Sequence, residues 1–221
     1  MGDQAYKVAF ILLFCALTVI RTTYRLATGN LVREYRLHSE GLALLISRSL
    51  LGLVLAGAIV IYLRAPHLAP WARVALPGWL RTAGIVGGVS ALALLLWSHR
   101  ALDGNFSTTI ELRPNHRLVR EGPYRWMRHP MYAAYALLFI CAFLISQNWV
   151  IGLSGLGIIL PLMTVRLVRE EQLLRAQFGS AYTEYARRTA RFFPWGTLWL
   201  WKATARRTAS RLRPAWLKDR D

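Results

Sequence analysis

The feature that most constrains this chain is a series of long apolar segments separated by clusters of arginine. A helix needs about 20 apolar residues to cross a hydrocarbon core of about 30 Å. The segments that approach this length are 5–20, 42–63, 79–97, 131–146 and 149–165. Composition agrees, since 55% of the residues are hydrophobic, 18% are charged and the mean hydropathy is +0.31. The sequence therefore predicts an all-α, multi-span integral membrane protein with about five transmembrane helices.

The net charge of +17 would, taken alone, be typical of a nucleic-acid-binding protein. The basic residues avoid the apolar segments and gather between them, which is the pattern of a membrane protein, so we expect no nucleic-acid partner. The two cysteines, Cys15 and Cys141, lie far apart inside apolar segments. Their positions predict neither a disulfide framework nor a metal site.

The basic residues also predict the orientation of the spans. If the amino terminus is outside, the inside segments 21–41, 98–130 and 166–221 carry four, six and thirteen of the 28 Lys and Arg residues. The positive-inside rule then puts the carboxyl terminus in the cytoplasm. A cleaved signal peptide is an alternative for the first segment, but Arg21 and Arg25 stand where a small-residue cleavage site belongs.

Two of the spans must form a tight hairpin. Only Gln147 and Asn148 separate segment 131–146 from segment 149–165. Such a short connection joins antiparallel neighbours. The residues before the first of these spans and after the second therefore return to the same side of the membrane, where we expect a cytoplasmic pocket.

The residues that precede the hairpin form the densest cluster of polar and conformationally special side chains in the sequence. Gly122-Pro123 predicts a turn. Pro130 disfavours helix at His129 and suits the first helical position of the next span, so Tyr132 should project from the first helical turn. An imidazole, a phenol and a helix amino terminus together predict a place for an anionic ligand group.

A second polar cluster follows the hairpin. Residues four apart share a helix face, so one stripe is lined by Arg166, Glu170, Leu174 and Phe178. Tyr182 extends it if the helix continues past Gly179. An arginine and a carboxylate thus point the same way next to the membrane. An ordinary interfacial ion pair is the alternative to a functional site.

Together these two clusters resemble the isoprenylcysteine carboxyl methyltransferase family of integral membrane methyltransferases, over residues 97–195. The first part of the resemblance is carried by His116-Arg117-Leu118-Val119, Gly122-Pro123-Tyr124 and Arg128-His129-Pro130-Met131-Tyr132. The second part is carried by Arg166, Glu170-Glu171, Leu174, Phe178-Gly179, Tyr182, Tyr185 and Arg191-Phe192-Phe193-Pro194. One departure is that Ala133-Ala134 follow Tyr132, where the family often has glycine. This difference concerns packing rather than chemistry.

The resemblance implies S-adenosylmethionine as the cofactor and a set of residues that hold it. The implied cofactor-binding residues are His116, Arg117, Leu118, Val119, Tyr124, His129, Pro130, Met131, Tyr132 and Glu170. Arg166 is the implied catalytic residue and would face the methyl acceptor. A guanidinium pairs with a carboxylate through two parallel bonds, which favours a lipophilic carboxylate such as an isoprenoid or lipid acid.

The sequence is compatible with three other functions. An amine acceptor is one, because related membrane methyltransferases act on phospholipid amines and His129 is available as a base. A sterol-type membrane reductase that uses NADPH is another, because such enzymes also carry His-Pro-x-Tyr. The third is a non-enzymatic membrane protein that binds anionic lipid.

The sequence predicts three parts along the chain. Residues 1–96 form the first three spans, 97–195 the methyltransferase core with its hairpin, and 196–221 a basic tail. The tail mixes arginine with tryptophan, a composition expected to lie on anionic headgroups. A solvated tail is the alternative.

Overall fold

The computed structural model describes residues 2–27, 42–102 and 117–192 of the chain. The α-helices in these ranges are α1 (Asp3–Ala27), α2 (Leu42–Arg64), α3 (Gly78–Leu102), α4 (Pro130–Ser146) and α5 (Trp149–Arg188). Short 3-10 turns lie at Pro66–Leu68, Pro70–Ala72 and Gly122–Arg125. Within the described ranges, extended pairing is limited to two isolated β-bridges, and the predicted all-α fold is confirmed.

Four of these helices, α1, α2, α3 and α5, are long and apolar enough to cross a membrane. Helix α4 is apolar throughout but has 17 residues, a length of about 26 Å at 1.5 Å per residue. It is the central helix of the bundle, since Leu138, Ala142 and Ile145 are at most 1% exposed. This is the architecture of a multi-span integral membrane protein, as predicted.

Several helices continue beyond the apolar segments from which we predicted them. Helix α1 runs on to Ala27, past the predicted limit at residue 20. Helix α5 has 40 residues but is broken at Gly179, so its unbroken part is the 30 residues 149–178, about 45 Å, which is longer than the thickness of a hydrocarbon core. Its apolar part covers 149–165, so its charged part, from Arg166 to Arg188, must extend outside the membrane. The charged segments contain good helix formers, so the helix does not end where the apolar residues do.

The reversal between α4 and α5 is the predicted tight hairpin. Gln147 adopts a left-handed conformation (φ 58°), and its backbone N–H donates to the carbonyl of Phe143. The Asn148 side chain accepts hydrogen bonds from the backbone N–H groups of Val150 and Ile151 and so caps α5. We call this the hairpin end of the bundle, and the opposite end, which holds the loop 117–129, the loop end.

Glycines allow the other helices to approach α4 closely. A Cβ on Gly84 of α3 would lie 2.8 Å from the nearest atom of α4, and one on Gly155 of α5 would lie 2.0 Å from Phe139. Gly88 instead faces Leu13 of α1, at 2.6 Å. Gly84 and Gly88, four residues apart on α3, therefore each allow a close approach, with a different neighbour at each glycine.

Gly155→Ala is expected to lower the stability of the purified protein by about 1–3 kcal/mol, because the added methyl group overlaps the Phe139 ring in a packed interface. The measurement is the thermal melting midpoint in detergent. Gly52→Ala is the matched control, since a Cβ there meets no atom within 4 Å. Equal midpoints for the two variants would contradict the packing of α5 on α4.

Tryptophans mark both ends of the bundle. Trp71 and Trp149 pack edge to face at the hairpin end, with ring centroids 5.7 Å apart. Trp97 and Trp126 do the same at the loop end, at 5.4 Å. Trp79 and Trp97 stand 18 residues apart on α3, a distance of about 27 Å along the axis. This spacing matches the aromatic belts at the two surfaces of a bilayer.

A buried arginine ties the helices together at the hairpin end. Arg81 of α3 is 7% exposed, and its guanidinium donates to the Ile145 carbonyl at the end of α4. The same group pairs with Asp3 of α1 at 2.6 Å and lies 3.8 Å from the centre of the Tyr6 ring. Arg81 thus satisfies a helix-terminal carbonyl while its own charge is compensated.

Candidate functional site

The site begins with the loop 117–129, which docks on the end of α3. Gly122 has a φ of 58°, and a Cβ there would lie 3.0 Å from Ala101 and 3.1 Å from Trp97. Both the backbone conformation and the close approach therefore require glycine. The turn predicted at Gly122-Pro123 is present as a 3-10 turn, and it buries Tyr124.

The loop delivers His129 to the first turn of α4. His129 is non-helical (φ −129°, ψ 60°) and Pro130 is the first residue of the helix, as the proline predicted. The His129 side chain is 7% exposed, and its ring centroid lies 5.9 Å from that of Tyr132. An imidazole and a phenol therefore lie side by side at the loop end.

Helix α5 places a carboxylate against both groups. The Tyr132 hydroxyl donates to Glu170 Oε1 at 2.9 Å, and His129 Nδ1 lies 3.8 Å from Glu170 Oε2. The Glu170 side chain is 30% exposed, so its carboxylate oxygens can accept further hydrogen bonds from outside the protein. The predicted proximity of His129 and Glu170 is confirmed, and it follows from the hairpin.

The next residue, Glu171, is the most highly connected carboxylate among the described residues, and the sequence did not single it out for a role. Its side chain is 2% exposed. Four basic side chains contact it: His129 Nε2 at 3.4 Å, Arg128 at 3.3 Å, Arg175 at 3.1 Å and Arg191 at 3.1 Å. The two adjacent glutamates thus have different partners. Glu170 accepts a hydrogen bond from Tyr132, whereas Glu171 pairs with the arginines.

The surroundings of Glu171 fix its charge. Burial acts to raise the pKa of this carboxyl group, but hydrogen bonds from His129 and Arg191 and the nearby charge of Arg128 outweigh it. The pKa falls from its ordinary value of 4.5 to about 2. Glu171 is therefore an anion throughout the physiological range, at the start of the part of α5 that lies outside the membrane.

A short extended segment after α5, residues 189–192, closes the site from the other side, and we call it the strap. The backbone N–H of Arg128 donates to the carbonyl of Ala190 at 2.8 Å, and that of His129 donates to Arg191 at 3.0 Å. The Phe192 ring centroid lies 6.3 Å from that of His129. The Arg-Phe pair at the end of the family resemblance thus lies directly against the His129 loop.

Gly179 makes the return of the chain possible. Its φ of 52° breaks α5, so the stripe predicted through Tyr182 does not continue unbroken past this residue. Tyr182 turns inward and is 1% exposed, and the Tyr185 hydroxyl donates to the Tyr124 carbonyl at 2.7 Å. The segment after Gly179 is therefore anchored to the loop that carries His129.

The remaining predicted residues lie around this centre. Arg166 is half-buried one helical turn before Glu170, on the membrane side. Arg117 is exposed, whereas Leu118 and Val119 are half-buried. Met131 is half-buried and packs against the hydrophobic core. His116 and the predicted tail 196–221 lie outside the described residues.

The fold and the site define a multi-span helical membrane protein whose polar centre lies where the central helical hairpin reaches one surface of the bilayer. The model of the isoprenylcysteine carboxyl methyltransferase family matches residues 84–176, which include the end of α3, the His129 loop, the hairpin and Glu170. Over these residues the chain is similar to the isoprenylcysteine carboxyl methyltransferase family.

The chain is also similar to individual curated proteins. The chain is 30% identical over 115 residues to the cobalt-zinc-cadmium resistance protein CzcN of Cupriavidus metallidurans, covering 52% of this chain and 49% of that protein. It is 30% identical over 86 residues to protein-S-isoprenylcysteine O-methyltransferase B of Arabidopsis thaliana, covering 38% of this chain and 44% of the relative. The chain spans about half the length of the curated relatives it matches.

A solved structure supports the fold. The eukaryotic intramembrane Ras methyltransferase ICMT superimposes with a TM-score of 0.53 at 20% sequence identity. The match covers 85% of this chain and 68% of that one. At this level of identity the likeness establishes the shared arrangement of helices.

Proposed function

We propose that this protein is an S-adenosylmethionine-dependent membrane methyltransferase that transfers a methyl group to a lipophilic carboxylate. The observation that carries the proposal is the convergence of His129, Tyr132 and Glu170, with the Tyr132 hydroxyl 2.9 Å and His129 Nδ1 3.8 Å from the carboxylate. The family match over residues 84–176 supports the same reaction class.

The chemistry of the donor set fits the cofactor. The proposed cofactor-binding residues are His116, Arg117, Leu118, Val119, Tyr124, His129, Pro130, Met131, Tyr132 and Glu170. Glu170 accepts one bond from Tyr132 and is 30% exposed, so it has acceptor capacity left for an ammonium or a ribose hydroxyl. Tyr132 and Phe192 offer aromatic faces next to His129, and such faces attract a cation by about 0.5–2 kcal/mol.

When bound, the cofactor supplies an electrophilic methyl group on a sulfonium centre. Transfer to a carboxylate annihilates charge, so water, which stabilises separated charges, opposes it. The protein residues therefore have two tasks, to align the reactants and to exclude water. The strap and the first turn of α4 cover His129 from two sides and leave its side chain 7% exposed.

Arg166 is the residue we propose for the acceptor. It lies four residues before Glu170 on α5, about 6 Å closer to the apolar part of the helix. A carboxylate paired with this guanidinium would place its hydrophobic chain toward the membrane interior. This position suits an isoprenoid or lipid acid better than a water-soluble one.

We further propose that the loop end faces the cytoplasm. The described loop end carries exposed arginines at positions that include Arg117, Arg120, Arg125, Arg169 and Arg187. The positive-inside rule puts such a surface on the cytoplasmic side. The basic tail 196–221 would then lie on anionic headgroups of the same leaflet.

Arg166→Ala is expected to lower kcat/KM for a carboxylate acceptor by about ten- to a hundredfold, the loss expected for a charge-assisted hydrogen bond. Affinity for the cofactor should change by less than about threefold, because Glu170 and the His129 loop are untouched. The measurement combines steady-state methyl transfer with cofactor titration. Arg169→Ala, an exposed arginine of the same helix, is the control. A comparable loss of cofactor affinity would mean that Arg166 belongs to the cofactor site.

The experiment that tests the function is transfer of labelled methyl from S-adenosylmethionine into a lipid extract of the native membrane, followed by identification of the product. We expect a base-labile methyl ester on a lipophilic acid. A labelled amine would show that the acceptor is a phospholipid amine instead of a carboxylate. Failure of any lipid to accept label, with S-adenosylmethionine bound, would contradict the proposed acceptor.

A further inference from the structure

The contacts of Glu171 leave positive charge uncompensated. Three guanidiniums, those of Arg128, Arg175 and Arg191, surround this single carboxylate. We call these three residues the arginine cluster. Among the described residues the cluster therefore carries two positive charges more than its central carboxylate balances.

Two buried polar groups lie beside the cluster, Arg128 Nε and the Tyr182 hydroxyl. Tyr182 is 1% exposed and its ring lies 5.9 Å from the Arg175 guanidinium. A hydroxyl can accept from a guanidinium, and Arg128 is a hydrogen-bond neighbour of Tyr182, so these two groups can satisfy each other. The surplus positive charge, rather than an unpaired donor, therefore calls for an anion from outside the described residues.

The cluster is accessible from one side. The side chains of Arg175 and Arg191 are 50% and 53% exposed, whereas that of Arg128 is 11% exposed. Each exposed arginine uses one face for Glu171 and has further N–H donors to offer. Two guanidiniums held on one carboxylate in this way are pre-organised for a second anion, such as a phosphate group.

The position of the cluster relative to the membrane indicates which kind of molecule supplies that anion. Glu171 contacts His129, the residue before the first turn of α4, and α4 is only about 26 Å long. The cluster therefore lies where the hydrocarbon core ends. Trp97 and Trp126, each 44% exposed, lie at the same end of the bundle, as expected at the headgroup level.

We propose that Arg175 and Arg191 form a binding site for the phosphate of an anionic phospholipid. The negative headgroup compensates the surplus charge of the cluster, and its acyl chains extend along the apolar faces of the bundle. The proposal concerns lipid binding only, so it stands independently of methyl transfer. The site is distinct from the tail 196–221, for which we propose headgroup contacts of a less specific kind.

The test compares lipids that share a phosphate and acyl chains but differ in net charge. The purified full chain is reconstituted in nanodiscs of phosphatidylcholine with 30% phosphatidylglycerol, and the lipids that remain bound after transfer to detergent are counted by native mass spectrometry. We expect phosphatidylglycerol to be enriched over its share of the nanodisc. Arg175→Gln should reduce this enrichment by about fivefold, the effect of one arginine at an anionic surface.

Arg188→Gln is the matched control, because Arg188 lies on the same helix, is 79% exposed and pairs only with Glu184 among the described residues. It should retain the enrichment. Arg191→Gln serves as the second cluster variant, and the melting midpoint of each protein reports whether it is folded.

Three results would overturn the proposal. The first is a folded wild-type protein without preference for phosphatidylglycerol, and the second is an equal loss in the Arg188→Gln control. The third is unchanged lipid enrichment in both cluster variants; if binding of S-adenosylhomocysteine is weakened as well, the arginines are part of the cofactor site instead. Failure of methyl transfer with intact lipid enrichment would count against the proposed function alone.

Discussion

Glu171→Gln is expected to lower the melting midpoint of the purified protein by roughly 5–10 °C, equivalent to about 2–3 kcal/mol. The variant keeps the shape of the side chain but leaves the guanidiniums of Arg128, Arg175 and Arg191 without their carboxylate. Arg175 and Arg191 are half-exposed, so water can hydrate their guanidiniums when the carboxylate is removed. The loss of unfolding free energy is therefore smaller than for a fully buried ion pair. The measurement is thermal melting in detergent near pH 7.

The effect should depend on pH in a defined direction. Because the pKa of Glu171 is lowered in the folded protein, the stability it provides is present above its ordinary pKa of 4.5 and is lost as the pH falls toward about 2. The difference between wild type and Glu171→Gln should therefore shrink over this interval. Glu184→Gln, which removes an exposed carboxylate paired with Arg188, is the control and should change the midpoint by less than about 2 °C. A midpoint for Glu171→Gln as high as that of the control would contradict the central role of Glu171.

Glu170→Ala is expected to weaken binding of S-adenosylhomocysteine by about ten- to a hundredfold, the effect of losing hydrogen bonds to a charged acceptor. His129→Ala should weaken it as well, because the ring that lies between Glu170 and Glu171 is removed. Titration calorimetry measures both affinities. In contrast to Glu171→Gln, the Glu170 variant should keep a nearly normal melting midpoint, since Glu170 contacts one tyrosine and one histidine and is 30% exposed.

Glu184→Ala provides a comparison for this second prediction, because it removes a carboxylate of the same helix outside the site. Its affinity for S-adenosylhomocysteine should equal that of the wild type. If both Glu170→Ala and His129→Ala bind as tightly as the wild type, the residues that converge at the loop end do not hold the cofactor.

The sequence predicted the elements that local chemistry determines. Pro130 begins α4 and keeps His129 out of the helix, and Gln147 and Asn148 form the tight reversal before α5. Both effects act within a few residues, so they can be inferred from neighbouring positions alone. The hairpin then made the meeting of His129 and Glu170 predictable, even though 41 positions separate them.

The sequence could not predict how the two adjacent glutamates divide their contacts. The helical stripe through Arg166 indicated Glu170, which is correct for the contact with Tyr132. Glu171 points about 100° around the helix from Glu170, and its partners Arg128 and Arg191 come from separate segments on either side of the hairpin. Their approach depends on the break at Gly179 and on the pairing of the strap with the His129 loop. A contact that depends on several tertiary interactions leaves no recognisable pattern in the local sequence.

The sequence also did not predict where the helices end, for a related reason. Apolar segments indicated the depth of the membrane, whereas helix ends depend on capping groups and on breaks such as Gly179. Helix α5 therefore continues past its apolar part as far as the break at Gly179, and this extension carries Glu170, Glu171 and Arg175 out of the apolar region. The part of the helix outside the predicted span is the part that builds the site.

The most direct test of the proposed cofactor site is a titration of the purified full chain with S-adenosylhomocysteine and, separately, with NADPH. The convergence of His129, Tyr132 and Glu170 predicts saturable binding of S-adenosylhomocysteine and no binding of NADPH. If NADPH binds and S-adenosylhomocysteine does not, the protein is a reductase rather than a methyltransferase. If neither binds, the site holds no nucleoside cofactor.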